Sequence, residues 1–359
     1  MWIDAHMHIG SLDRIAEARR WFESLGLDGC WILSLPVVPG ADPHYERNFN
    51  PEVLAAKAAF GSSARAFGCL DHSSLVDGKG LSNRLAEQVA ALWDAGFDGL
   101  KLWEGKPEVR DVLQARLDDP RLLDAYRAAG ERGMPIIMHV ADPRDFWISG
   151  AGPWDYTKID LPSFDELLEE FESAVAACPD TRFIGAHALF LADDPAALTR
   201  LLDTYDNLMI DLATGDYLYP SWGGDDAKRS GAKAFMERYS DRVLFGSDAF
   251  FFPKNMRLLR TISEYVNLER TLRLQRFLGE RCAFANPFVP RFDRYPVLRG
   301  IGLTQPALGQ VAHDNAARLL PSARPLDVDT VSDYLDRWSP SGDLRADRAK
   351  AVIAHELTQ

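Results

Sequence analysis

The chain opens with Met1-Trp2-Ile3-Asp4-Ala5-His6-Met7-His8 and runs into Ile9-Gly10-Ser11. Trp2, Ile3, Ala5 and Met7 are apolar, and the stretch reads as a short strand. Side chains two apart on a strand point the same way, so His6 and His8 project together from its C-terminal end. Two adjacent imidazoles pack poorly in an apolar core. Neutral His nitrogen is, however, a preferred ligand for zinc-like ions. A solvated surface pair is the ordinary alternative, and what the later strands end in decides between the two.

Downstream, strand and helix patterns alternate. Leu12 to Leu25 has helical spacing, with Ile15, Ala18, Trp21, Phe22 and Leu25 on one side. Cys30 to Leu35 is a second strand and Ala64 to Leu70 a third, separated by a loop and a helix started by Pro51. Ser82 to Ala95 is an amphipathic helix stopped by Gly96, and Phe97 to Trp103 is a fourth strand. A helix from Pro120 to Glu131 leads to the fifth strand, Pro135 to Val140. After a long loop, Ser163 and Glu166 stand in capping-box spacing at the head of a helix to Ala177. Arg182 to His187, Leu208 to Leu212 and Arg242 to Asp248 complete eight strands, with helices over Asp193 to Tyr205 and Ala227 to Tyr239 between them.

These strands are continuous hydrophobic runs rather than in-out alternations, which implies a parallel sheet buried on both faces. Eight is the number that closes a (β/α)8 TIM barrel; a doubly wound open sheet is the alternative. The barrel is expected over 1–321, with an inserted segment after strand eight and a helical extension over 322–359. Within the insertion, Asn255 to Phe277 is helix-like, and Ala285 through Pro296 is a Pro/Arg/aromatic excursion. In the extension, Val328 to Trp338 and Leu344 to Leu357 read as helices that pack on the barrel or on a partner subunit in a homo-oligomer.

In such barrels catalytic groups lie at C-terminal strand ends. His6, His8, His139 and His187 end strands one, one, five and six. Asp248 ends strand eight, and Lys101 sits late in strand four between Leu100 and Leu102. Each has a plain structural explanation alone. Together they would gather four imidazoles, a carboxylate and an amine at one rim, a costly burial without a cation to organise it.

This five-point pattern resembles the amidohydrolase superfamily of metal-dependent barrels. Finer features are similar to its amidohydrolase-2 branch, which includes aminocarboxymuconate semialdehyde decarboxylase-like enzymes. They are Ile3 to His8, Gly96 to Lys101, Arg182 to His187, Leu244 to Asp248, and Asp314 to Leu319, which resembles the helix that closes such barrels. His187 is followed by Ala188-Leu189-Phe190, where the family often has a glycine. The resemblance implies that His6, His8, His139 and Asp248 hold one divalent ion. Nitrogen-rich ligation favours zinc, with manganese or iron as alternatives. It further implies that Asp248 moves protons and that His187 polarises a substrate carbonyl or orients water. Lys101 pairs with a substrate anion in a one-metal site, or bridges a second ion if carboxylated.

The loops suggest the substrate. Arg144, Trp147 and Trp154 follow strand five, and Phe250, Phe251 and Phe252 follow Asp248. His44 and Arg47 follow strand two, and His72 follows strand three. Aromatics with a few cations suit a small carboxylate-bearing molecule, so Arg144 and Trp147 join Lys101 as candidate substrate contacts. Two reactions fit: hydrolysis of a lactone, amide or ester, and non-oxidative decarboxylation of an aromatic or muconate-type acid. A non-catalytic metal barrel is a third reading.

Bulk properties exclude several classes. Net charge is −13 without a basic cluster, which argues against nucleic acid and anionic membranes. No apolar run nears the roughly 18 residues of a membrane span. The chain enters a strand at once, so no secretory leader is expected. Cys30, Cys69, Cys178 and Cys282 form no CxxC and read as free thiols of a cytoplasmic protein. GxSxG and a phosphate-cradling glycine loop are both missing, against a serine hydrolase or an NTPase.

Overall fold

The computed structural model describes residues 1–38, 47–75, 81–150, 155–213, 215, 218–253, 264–285, 297–339 and 342–358. Strand β1 (Ile3–Ile9), helix α1 (Ile15–Ser24), β2 (Gly29–Leu33), α2 (Asn50–Phe60), β3 (Ala64–Gly68), α3 (Leu85–Asp94) and β4 (Gly99–Gly105) form the first half. Helices α4 (Pro107–Leu113) and α5 (Pro120–Glu131), β5 (Ile136–Val140), α6 (Phe164–Ala177), β6 (Phe183–Gly185), α7 (Pro195–Thr204) and β7 (Leu208–Asp211) follow. Next come α8 (Tyr219–Trp222), α9 (Asp226–Arg238), β8 (Val243–Leu244) and β9 (Ala249–Phe251). The expected capping box is present: the Ser163 side chain accepts from the Glu166 amide, and the Glu166 carboxylate accepts from the Ser163 amide at 2.8 Å.

The sheet order is β8-β7-β6-β5-β4-β3-β2-β1-β9, parallel throughout. The eighth strand, expected over Arg242 to Asp248, holds only Val243 and Leu244, and a separate strand, Ala249 to Phe251, begins beyond the expected end. Val243 and Leu244 pair with Ile210 and Asp211 of β7. Ala249 to Phe251 pair with Met7 to Ile9 of β1. Between them the chain bends, and Asp248 takes a left-handed backbone conformation, φ 54°. The bend is still stitched to β1, by Ala5 N–H to Phe245 O at 2.9 Å and Asp248 N–H to His6 O at 2.7 Å. The sheet therefore returns on itself as an eight-membered barrel, as expected.

Strand alternation sets what fills it. Ala5, Trp31, Leu33, Phe67, Ile137, Ile184, Met209 and Leu244 pack together inside the barrel. Their sequence neighbours, such as Ile32, Ala66, Ile136, Met138, Phe183 and Ile210, pack outward against the helices. Lys101, His139 and Asp211 continue the inward-facing positions of β4, β5 and β7 toward the C-terminal rim. On β1 a bulge intervenes: Asp4 pairs with Cys30 but Met7 with Ile32, so Ala5 and His6 together oppose Trp31. The extra residue lets Ala5 pack in the floor while His6 and His8 also face the interior.

Beyond β9, α10 (Glu264–Gly279) overlaps the expected helix over 264–277 and runs two residues past it, and the start of that expected helix, 255–263, lies outside the described residues. A hairpin of β10 (Ala283–Ala285) and β11 (Val297–Arg299) follows. Most of the Pro/Arg/aromatic excursion, 286–296, is outside the described residues. Helices α11 (Gln305–Gly309) and α12 (Asn315–Leu319) close the barrel. Asn315 is buried there, its amide donating to Ser240 O and Val243 O at 2.6 and 2.8 Å.

The last two helices, α13 (Val328–Trp338) and α14 (Leu344–Leu357), have the expected bounds and pack on the barrel. Arg345 donates to Asn48 O at 2.9 Å and pairs with the buried Glu52 at 3.1 Å. Asn50 Nδ2 donates to Tyr334 Oη at 2.9 Å. No helix among the described residues is long and apolar enough to cross a membrane. Leu335 is buried on α13, so Leu335→Ala should cost about 2–5 kcal/mol of stability in urea denaturation. An unchanged midpoint would contradict docking of this helix.

Candidate active site

Three ligand-type atoms, one each from His6, His8 and Asp248, lie within 4.8 Å of one another, and all three residues are buried. The chain brings them together because the 245–248 bend lies against β1. A Cβ at Gly246 would stand 2.7 Å from His6 Cβ, so glycine allows that approach. The Asp4 carboxylate fastens the same seam, accepting from Ser247 N–H at 3.0 Å and from His6 N–H at 3.1 Å. Burial pushes its carboxyl up to about 7.

Both imidazoles are oriented through their far nitrogens. His6 Nδ1 meets Asp211 Oδ2 at 2.8 Å, and His8 Nδ1 donates to Leu33 O at 2.9 Å. That leaves each Nε2 directed at the centre. His6 Nε2 stands 3.7 Å and His8 Nε2 3.4 Å from Asp248 Oδ1. His8 Nε2 is buried without a hydrogen bond, an unmet acceptor in a polar setting. A lone-pair nitrogen toward a carboxylate, with the other ring nitrogen tied to an acceptor, is how histidine meets a metal ion. The residues present therefore fit a divalent cation.

The remaining imidazoles border this group. The His187 ring lies 5.1 Å from His6 and 5.0 Å from His139, centre to centre. His139 contacts Asp142 through Nε2 at 3.2 Å, while its Nδ1 is buried without a hydrogen bond. It lies beyond the tight group formed by His6, His8 and Asp248. Lys101 Nζ sits 3.2 Å from His6 Nε2.

His187 is not at a strand end, as read from sequence, but two residues past β6 in a left-handed turn. His187, Ala188, Leu189 and Phe190 all have φ between 51° and 58°. Each such non-glycine residue costs of order 1–3 kcal/mol. Asp211 Oδ1 holds the turn by accepting from His187 N–H at 2.9 Å. The residues following His187, the point of departure from the family pattern, build the turn that carries it.

Burial, reinforced by nearby Lys101 or His139, lowers the pKa values of His6 and His187 well below the ordinary imidazole value. His8 and His139 are lowered too, again mainly by burial. Neutral rings are the ligating form. Burial also lowers Lys101, to about 8, against the pull of Asp211 and Asp248. Burial opposes ionisation of Asp248, but the facing rings of His8, His6 and His187 hold its carboxyl well below the usual carboxylate range.

An aromatic wall surrounds the centre. Phe250 stacks on His8 at 5.3 Å and 10°, Phe252 lies at 6.0 Å, and Trp103 stacks on His139 at 5.1 Å. Arg144 pairs with Asp165 at 3.0 Å and lies over the Phe164 ring. Trp147 packs on Tyr156 at 5.1 Å. His72 is wholly buried against Glu104 at 2.8 Å. Arg47 lies over Phe49, and His44 and Trp154 fall outside the described residues.

Asp211 and Asp142 escaped the sequence reading. A signal existed for Asp211, a charge ending the apolar run Leu208-Met209-Ile210. Asp142, which accepts from Lys106 and Tyr156 at 2.6 Å each, lay inside a loop with no pattern to mark it.

The amidohydrolase family model matches residues 76–322. No curated protein sequence matches the chain. Among solved structures, an uncharacterized TIM-barrel protein from Bordetella bronchiseptica is similar with a TM-score of 0.53 at 15% identity, over 89% of this chain and 98% of that one. A Staphylococcus aureus protein described as an amidohydrolase gives 0.51 at 13%, over 89% and 99%. Those likenesses speak for the barrel, and the family model, matched over more than half of the sequence, speaks for descent: the chain belongs to the amidohydrolase family of enzymes.

Proposed function

We propose that the protein is a metal-dependent hydrolase acting on a lactone, amide or ester of a small carboxylate-bearing molecule in the cytoplasm. The observation that carries this reading is the buried group of His6, His8 and Asp248, whose imidazoles are tied back through their far nitrogens. His139 would complete the ligand set by turning from Asp142. A divalent ion held there, zinc by the nitrogen-rich donors, would supply Lewis acidity and make water more acidic.

The protein's own groups do the rest. Asp248 is ionised and adjacent to the centre; it accepts a proton from the attacking water and returns it to the leaving group. His187, presented by its left-handed turn, steadies the developing negative charge on the substrate oxygen. Lys101, left uncarboxylated, would meet a substrate anion through its ammonium group in a site for one ion rather than two. Phe250, Phe252 and Trp103 exclude water and offer flat surfaces to a planar substrate. Arg144 and Trp147 would meet the distal end of a longer one.

Decarboxylation would use the same ligands, and the products distinguish the two. A panel of lactones, amides, esters and aromatic acids, read for acid released and for carbon dioxide released, should give acid. Carbon dioxide alone would overturn the hydrolase reading. His8→Ala and His139→Ala should each leave the purified protein with little bound metal by mass spectrometry; wild-type metal content in either would refute that ligand. Asp248→Asn should lower kcat by at least tenfold even in protein that retains metal. A fully active Asp248→Asn enzyme would rule out the proton role.

A further inference from the structure

One carboxylate touches both halves of the site. Asp211 is wholly buried at the end of β7. Its Oδ2 meets His6 Nδ1 at 2.8 Å. Its Oδ1 accepts from His187 N–H at 2.9 Å and from Ala213 N–H at 3.0 Å. An ionised carboxylate only accepts hydrogen bonds. With Oδ1 already accepting from two backbone N–H groups, the contact of Oδ2 with His6 fits a ring proton on Nδ1, which leaves Nε2 with its lone pair toward Asp248 and Lys101.

We infer that Asp211 is a positioning residue that fixes the tautomer of His6 and, through its other oxygen, anchors the strained turn that presents His187. The metal consequence of this inference rests on the proposed function; the tautomer and the turn do not. It couples the two groups: whatever displaces Asp211 disturbs a candidate ligand and a candidate catalytic residue together.

Two substitutions separate its roles. In Asp211→Asn the amide oxygen can still accept from His187 and Ala213 N–H, but the amide nitrogen then faces His6 Nδ1 as a donor. His6 must accept there, and its proton moves to Nε2, where it blocks coordination. In Asp211→Ala both holds are lost.

The test is nitrogen-15 NMR of the metal-free full-length protein, with His6 assigned from a His6→Gln control. Wild type should carry the His6 proton on Nδ1, and Asp211→Asn should carry it on Nε2. Zinc affinity, measured by chelator competition, should fall about 10–100-fold in Asp211→Asn. The His187 amide should exchange slowly in wild type and Asp211→Asn and at least tenfold faster in Asp211→Ala. A wild-type His6 protonated on Nε2 would overturn the inference, and this result needs no variant to fold. So would an Asp211→Asn protein with unchanged tautomer and zinc affinity, or equal His187 exchange in all three. A tautomer shift in a protein whose wild type binds no zinc would uphold the positioning role while removing the metal reading.

Discussion

The seam between β1 and the 245–248 bend is the constraint on which the rest depends. Asp248 N–H to His6 O, Ala5 N–H to Phe245 O and the Asp4 carboxylate on Ser247 N–H join the chain's first strand to its eighth. These bonds close the barrel, and they also place the Asp248 side chain opposite His6 and His8. One set of backbone contacts thus creates both the fold's closure and the site's geometry. A (β/α)8 barrel usually separates those tasks, stability at one end and chemistry at the other. Here they meet at the bulge in β1, where one extra residue lets Ala5 join the floor while the two histidines turn into the mouth.

The imidazoles there are dry, crowded and neutral. Four rings within about 5 Å of their neighbours, beside a buried lysine, would repel one another if protonated. Burial first, and the nearby positive charges second, lower their pKa values. Asp211 and Asp248 supply the compensating negative charge, and a bound divalent cation would complete the balance. The unmet nitrogens of His8 and His139 are where that balance is open.

Much of this was legible in the sequence because the signals were periodic. Hydrophobic runs at regular spacing announced eight strands, and histidines two apart on β1 share a face by simple strand geometry. The resemblance then joined His139, His187 and Asp248 to them across the chain. What stayed hidden is non-periodic. No residue pattern announces four left-handed residues at 187–190, since Ala, Leu and Phe rarely adopt that backbone alone. The early end of strand eight was invisible for the same reason: Asp248, expected to close that strand, sits at a positive φ in a bend beyond its last paired residue. Asp142 and Lys106 meet through tertiary contact alone, and Arg144 pairs with Asp165, a partner in the next helix.

The C-terminal helices extend the same logic outward. Arg345 and Tyr334 reach Asn48, Glu52 and Asn50 at the head of α2, next to Phe49, whose ring lies 5.2 Å from Phe252 beside His8. The tail is thus packed within two contacts of the aromatic wall. The proposed function requires these scattered side chains to converge on one cation. Anomalous diffraction from crystals grown with zinc, collected on both sides of the absorption edge, tests it most directly. One peak within coordination distance of His6, His8, His139 and Asp248 is the predicted result; a zinc-free centre, or zinc bound only elsewhere on the protein, would contradict it.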